Sequence, residues 1–255
     1  MQSFMASNRD VLGHRLKLGV IGPATNTVVQ PDFDDMRPPG VTNHYSRIAV
    51  EDAEGVNDEI FVAATNLIGD NTLDAVRLLT PCKPNHMVMG MSAVTFYGGL
   101  AGAASFTARV EEAAGVGATV GSTALATALK AYPNVKRVAF LSPYFPSANR
   151  AVTIFLQESG FEVVRDIPLQ CTRWTAIAEV PELRLIEAIK ALDGPDVDAI
   201  AQVGTNLSMV RLAASAEIWL GKPVIAINTA TYWAALRTCG IEDKVEGFGS
   251  LLACH

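Results

Sequence analysis

Asp198-Ala199-Ile200-Ala201-Gln202-Val203-Gly204-Thr205-Asn206-Leu207-Ser208 reads as a short apolar strand running straight into a small polar turn, with a helix pattern after it. A strand tip of this kind is where an α/β protein places its chemistry. The same style recurs along the chain. Apolar runs of strand length lie at 17–21, 86–90, 137–141, 199–203 and 224–227. Helix-like patterns lie at 72–79, 100–114, 123–131, 147–159, 181–192, 208–219 and 231–238. Strands alternating with helices predict an α/β fold with parallel sheets built from βαβ units.

The turns after the strands are alike. Ile21 is followed by Gly-Pro-Ala-Thr-Asn, Gly90 by Met-Ser-Ala, and Val120 by Gly-Ser-Thr. Leu141 is followed by Ser-Pro-Tyr, Val203 by Gly-Thr-Asn, and Ile227 by Asn-Thr-Ala. Such tips offer hydroxyls and backbone N–H groups to an anion. Ser, Thr and Asn are also the preferred helix N-caps, so one tip alone says little. Six of them at one edge of a fold point to a carboxylate-binding cleft. The first turn lacks both the dinucleotide and the P-loop glycine patterns, so neither NAD nor ATP is implied.

Composition bounds the function. The chain has 255 residues, 49% of them hydrophobic and 18% charged, enough for a large core. Its net charge is −6, which disfavours nucleic acid or an anionic membrane as partner. No run of about 18 apolar residues predicts a membrane span. Residues 1–10 carry no apolar core segment of a signal peptide. Cys82, Cys171, Cys239 and Cys254 are scattered without a CxxC, as expected of free thiols in a reducing cytoplasm. The four histidines show no zinc-ligand spacing, so no metal is expected.

Several longer stretches carry a resemblance. They are 18–27, 39–48, 122–124, 142–144, 221–237 and 240–252, which together with 198–208 span nearly the whole chain. In order and spacing they resemble the aspartate/glutamate racemase superfamily, in its maleate cis-trans isomerase and arylmalonate decarboxylase branch. The resemblance implies two similar Rossmann-like lobes related by a pseudo-twofold axis, with a cleft between them. Residues 15–117 plus 223–255 would form the first lobe and 118–222 the second. It further implies a cofactor-independent, homo-oligomeric enzyme with a small carboxylate substrate.

The branch uses cysteine thiols as proton carriers or nucleophiles, a task suited to a group of adjustable pKa. The resemblance puts the first thiol position at Met91, or at Gly90 with a one-residue slip, and the second at Gly204. This chain therefore lacks both family cysteines, and a cleft wider at Gly204 and more apolar at Met91 is expected. Ser92, beside the first position, and Tyr144, matching the family's carboxylate-binding tyrosine, are the candidate catalytic hydroxyls. His44 is a candidate acid or base, since imidazoles titrate near neutrality, or else a surface or interface histidine. Asn26, Ser122, Thr205 and Asn206 are candidate substrate binders, and Asn228 is a weaker one that reads equally as a helix cap. Trp174 is either a stacking face in the cleft or a core residue. Cys171 is a candidate for a relocated thiol. Asp32, Asp34 and Asp35 read as a solvated acidic loop.

The lead expectation is a maleate isomerase-like enzyme working by isomerisation or proton shift through a non-thiol residue. The alternatives are a decarboxylase, lyase or hydrolase in the same cleft, and a non-catalytic carboxylate-binding homologue.

Overall fold

The computed structural model describes residues 10–255; the reading of 1–10 as lacking a leader segment falls almost wholly outside them. Two four-stranded parallel sheets carry the fold. The first runs β2-β1-β3-β4, from β1 (Leu16–Pro23), β2 (Val41–Ile48), β3 (His86–Met89) and β4 (Ala118–Thr119). The second runs β6-β5-β7-β8, from β5 (Arg137–Ser142), β6 (Glu162–Pro168), β7 (Ala199–Gln202) and β8 (Val224–Ala226). Counted from each sheet's first strand, the order is the same. The two-lobed α/β expectation holds.

Inner strands are continuous apolar runs because helices cover both faces. β3 and β7 are buried at every residue. The edge strands β2 and β6 are only partly buried, so their polar residues mask the strand pattern. In such sheets ligands gather outside the carboxyl ends of the strands where the order reverses. Here those ends are the tips of β1 and β3 in one lobe and β5 and β7 in the other.

Helix α1 (Val29–Asp35) follows β1. Helix α2 (Asp58–Leu79) is far longer than the expected 72–79. Asn57 caps it by accepting from the Ile60 amide at 3.0 Å. Phe61, Ile68, Ala75 and Leu79 then recur at helical spacing on its buried face. Asn66, Gly69 and Asn71 are poor helix formers that obscure this periodicity in the sequence. After β3 come α3 (Ala93–Phe96) and α4 (Gly99–Ala114). Beyond β4 come α5 (Gly121–Lys130), α6 (Pro146–Glu158), α7 (Glu182–Leu192) and α8 (Val210–Leu220). The chain closes with α9 (Ile227–Thr238) and α10 (Ser250–Cys254).

The lobes exchange helices. α9 follows β8 of the second sheet yet packs on β3 and β4 of the first. α5 follows β4 of the first sheet yet packs against β8 and α6. The two helices also lie against each other. α9 is buried on every side from Ile227 to Leu236, as expected of a helix apolar around most of its girth. By sheet membership the divisions fall after 119 and 226 rather than after 117 and 222, because β4 pairs with β3 and β8 with β7. Among the described residues no helix is long and apolar enough to cross a membrane.

At the far end of the second sheet, Asp198 takes the Arg137 guanidinium at 2.7 Å and the Arg137 and Lys136 amides at 2.8 and 3.1 Å. The Arg137 bond, followed by the amide bonds, holds its carboxyl down at about 2. A depressed carboxylate stabilises the fold above its unfolded value and loses that effect as pH falls through the folded one. Solvent screening discounts the gain to about 1 kcal/mol. Asp198→Asn is expected to lower unfolding free energy by that amount at pH 7. The gap between variant and parent should close between pH 4 and pH 2 in urea titrations.

Candidate active site

The four inner strand tips meet across the gap between the lobes. Ser92, just past β3, places its Oγ 2.8 Å from the Tyr144 hydroxyl, just past β5. The Gly204 amide, past β7, donates to the same Ser92 Oγ at 3.2 Å. Ser92 and Tyr144 are 1% and 4% exposed, so this contact is closed to bulk water. Two hydroxyls share one hydrogen bond and together own two hydrogens. Whichever donates to the other, one O–H remains for a ligand. Burial pushes the Tyr144 phenol well above its ordinary range, outweighing the lowering effect of Ser92. The pair is therefore neutral and acts as a donor rather than a base.

Tyr144 is held from behind. Its amide donates to Ser142 Oγ at 3.0 Å. Ser142 donates in turn to Asn149 Oδ1, and Asn149 Nδ2 donates to Asp166 at 2.5 Å. Ser92 is backed by the start of α5. A Cβ on Gly121 would sit 3.1 Å from Ser92 Cβ, a tight contact that would press on the Ser92 side chain.

A second set of bonds stitches the lobes. Asn26 Nδ2 donates to Thr205 Oγ1 at 3.0 Å, and Thr205 Oγ1 donates to the Gly90 carbonyl at 3.0 Å. Asn26 Oδ1 accepts from the amides of Val28 and Val29, fixing the turn into α1. Asn206 Oδ1 accepts from the Thr27 amide at 3.0 Å, and its Nδ2 donates to the Trp174 carbonyl at 3.1 Å. The Thr205 and Asn206 amides themselves have no acceptor among the described residues.

Gly204 has φ +98°, where side chains are rarely tolerated. A Cβ there would lie 2.3 Å from Pro143 Cδ and 2.5 Å from its Cγ. The expected widening at Gly204 is therefore absent, because the Pro143 ring fills that space. Met91 is buried and does line the cavity.

One cavity of about 50 Å³ lies among these tips. Asn26, Met91, Ser92, Tyr144, Trp174, Gly204, Thr205 and Asn206 all line it, with Ile68 and Ile177 on an apolar wall. The space holds no more than a few waters. Trp174 is buried with its Nε1 unpartnered, and its ring packs 4.9 Å from Phe61, which also meets Tyr144 at 5.2 Å. Trp174 and Ile177 ride on a strap latched at the rim. The Thr175 amide donates to Asp52 at 3.1 Å, its Oγ1 donates to the same carboxylate at 2.6 Å, and the Val56 amide reaches the Thr172 carbonyl at 2.9 Å.

The profile of the family described as arylmalonate decarboxylase matches residues 27–252. The chain belongs to the arylmalonate decarboxylase family. It is 32% identical to arylmalonate decarboxylase of Bordetella bronchiseptica over 167 residues, 64% of this chain and 69% of that protein. It is 30% identical to maleate isomerase of Geobacillus stearothermophilus over 120 residues, 46% of this chain and 47% of that protein. In fold it is similar to a Nocardia farcinica maleate cis-trans isomerase mutant carrying a covalently bound succinylcysteine intermediate. That likeness has a TM-score of 0.84 at 21% identity and covers 94% of this chain and 99% of the other.

Within this arylmalonate decarboxylase family member, four candidate residues, His44, Ser122, Asn228 and Cys171, lie outside the cavity lining. His44 is mid-strand in β2, level with Gly19, and contacts Thr42 Oγ1 at 3.0 Å. Four residues separate it from the strand's end at Ile48, about 13 Å. Ser122 is buried inside α5; its amide meets Thr95 Oγ1 and its hydroxyl has no partner, but it does not line the cavity. Its tip belongs to the outer strand β4, and Asn228 follows the outer strand β8. Four tips thus contribute where six were expected. Cys171 is outside the cavity lining, and burial pushes its thiol up to about 11, ahead of the lowering effect of Arg184. Asp32, Asp34 and Asp35 diverge to Asn228, Asn43 and Arg211. The sequence reading missed Pro143, Ile68, Ile177 and Arg47, whose guanidinium supports the Asn26 carbonyl at 2.7 Å.

Proposed function

We propose that the chain is a cofactor-independent enzyme acting on a small carboxylic acid, with the Ser92–Tyr144 pair as its proton donor. The observation that carries this reading is the neutral, water-excluded hydroxyl pair with one O–H to spare, beside amides suited to a carboxylate. Decarboxylation of a malonate-type acid fits such a donor better than isomerisation does. Isomerisation by proton shift needs a base to start it, and a phenol held protonated is a poor one. Decarboxylation needs none. The bond to the departing carboxyl carbon breaks, its electron pair moves into an enediolate, and carbon dioxide leaves. The free O–H of the pair then protonates the carbanionic carbon, water returns the proton to the pair, and the hydroxide left over combines with the released carbon dioxide as bicarbonate.

The Thr205 and Asn206 amides would stabilise the enediolate oxygens, an effect strongest where water is excluded. Trp174 and Ile177 form one wall of the cavity, so movement of the strap that carries them would set the room available to such an acid. The Thr175 latch itself lies at an exposed rim, whereas Trp174 and Ile177 beside it are buried, so the strap is held more by their packing than by the latch.

Proton NMR in deuterated water tests the reading. Malonic acids with alkyl or aryl substituents should release carbon dioxide and gain one deuteron at the α-carbon. Maleate should stay unconverted. Alkylation of all four cysteines with iodoacetamide should leave turnover within about twofold, since no thiol lines the cavity. Turnover abolished by alkylation and protected by substrate would overturn the hydroxyl mechanism. Maleate conversion without decarboxylation would restore the isomerase reading.

A further inference from the structure

Helix α1 carries one acidic residue that turns inward. Asp32 lies on the face toward α9, where Asn228 Nδ2 donates to Asp32 Oδ2 at 2.7 Å. The same Nδ2 donates to the Thr205 carbonyl at 2.9 Å. One amide nitrogen thus spans two elements, a carboxylate of the first lobe and the backbone of the cavity-lining turn. The other end of the amide, Asn228 Oδ1, is buried without a partner. An amide with both hydrogens engaged and its oxygen unsatisfied is held by its acceptors, and a proton on one of them would change the preference.

We propose that Asp32 and Asn228 are positioning residues: ionised Asp32 holds the Asn228 amide so that it donates to the Thr205 carbonyl and fixes the turn at 204–206. When Asp32 takes a proton, its new O–H finds a ready acceptor in the orphaned Asn228 Oδ1. The amide then rotates, the Thr205 carbonyl loses its donor, and the Thr205 and Asn206 amides lose their fixed aim.

The charges around Asp32 are few. Asp35 on the same helix opposes its ionisation, and Arg211 from α8 favours it while pairing with Asp35 at 3.0 Å. From β2, Tyr45 and Arg47 bond to Gln30 rather than to Asp32. From α9, Tyr232 stacks on Phe33 and donates to Asn43. Burial, chiefly, pushes the Asp32 carboxyl up to about 6 despite the Asn228 bond. A raised carboxyl favours the fold at low pH and loses that contribution as pH rises through the folded value. The charge at neutral pH is therefore held against stability. Asp32→Asn keeps an acceptor, drops the charge, and should leave the melting temperature at pH 7 unchanged or higher. A merely structural ion would show the reverse.

The test is a pH titration of the isotope-labelled, ligand-free protein by NMR. The Asn228 side-chain amide and the Thr205 and Asn206 backbone amides should shift together with a midpoint near 6, and stay flat in Asp32→Asn. Asp35→Asn should keep the transition and move its midpoint down. Equal shifts in parent and Asp32→Asn, or no shift in the parent between pH 4.5 and pH 8, would overturn the pair. The binding arm rests on the carboxylate reading. Malonate should bind the parent about three- to tenfold more weakly at pH 5 than at pH 7, relative to Asp32→Asn under the same conditions. If malonate binds neither protein at any pH, the carboxylate reading fails, and the amide titration still decides the pair.

Discussion

Gly204→Cys, a change that would put a thiol where the sequence resemblance expects one, is expected to unfold the site rather than arm it. The residue holds φ +98°, and its Cβ would fall 2.3 Å from Pro143 Cδ. Pro143 has little room to retreat. Its carbonyl accepts from the Cys171 amide at 3.0 Å, and the neighbouring Ser142 carbonyl accepts from Leu169 at 2.8 Å. Backbone strain and overpacking each cost roughly 1–3 kcal/mol, so the loss should reach about 3 kcal/mol or more. The double change Gly204→Cys with Pro143→Ala should recover the steric part and keep the backbone part. Chemical unfolding measures both. A Gly204→Cys protein within about 0.5 kcal/mol of the parent would contradict the geometry. The vacancy at this position is thus built into the backbone; the loop is closed around it.

Ser92→Ala carries the second large effect. It strips the Gly204 amide of its acceptor and the Tyr144 hydroxyl of its partner in one step. Leaving buried groups unpaired costs about 1–3 kcal/mol. Removing a positioned proton donor costs about 100-fold or more in turnover. Tyr144→Phe should lower turnover comparably with a smaller stability loss, because Ser92 keeps its bond to Gly204. Initial rates on a malonic acid, normalised to folded protein by circular dichroism, separate the two effects. If both variants keep turnover within a few-fold of the parent, the hydroxyl pair is not the donor.

The sequence was legible where burial is uniform. β3, β5 and β7 appear as apolar runs because covering helices demand it, and their tips brought Ser92, Tyr144 and Gly204 into view. Edge position hid the rest. Val41–Ile48 mixes Thr, Asn, His and Arg because one side of that strand is open, so the register of His44 was invisible. Ser122 and Asn228 have the right residue types, but strand order decides which tips face the gap, and order is a long-range property. Asp32 read as a solvated loop residue because nothing local announces a partner 196 positions away. The Pro143 ring against Gly204 joins two strands 61 residues apart and leaves no periodic trace.

The helix exchange has a consequence for how the molecule is made. On the ribosome the first sheet emerges early, but the helix that covers β3 and β4 begins only at Ile227. Until then an apolar sheet face and its unpaired neighbours stand open, and pairing across such a separation is slow. α5 waits as well, since α9 and β8, against which it packs, are also late in the chain. Neither half is therefore a unit that synthesis can finish and set aside. These faces of the nascent chain are covered only when its last eighth or so, from β8 onward, arrives, and such an open interval is the stage at which chains are most prone to aggregate.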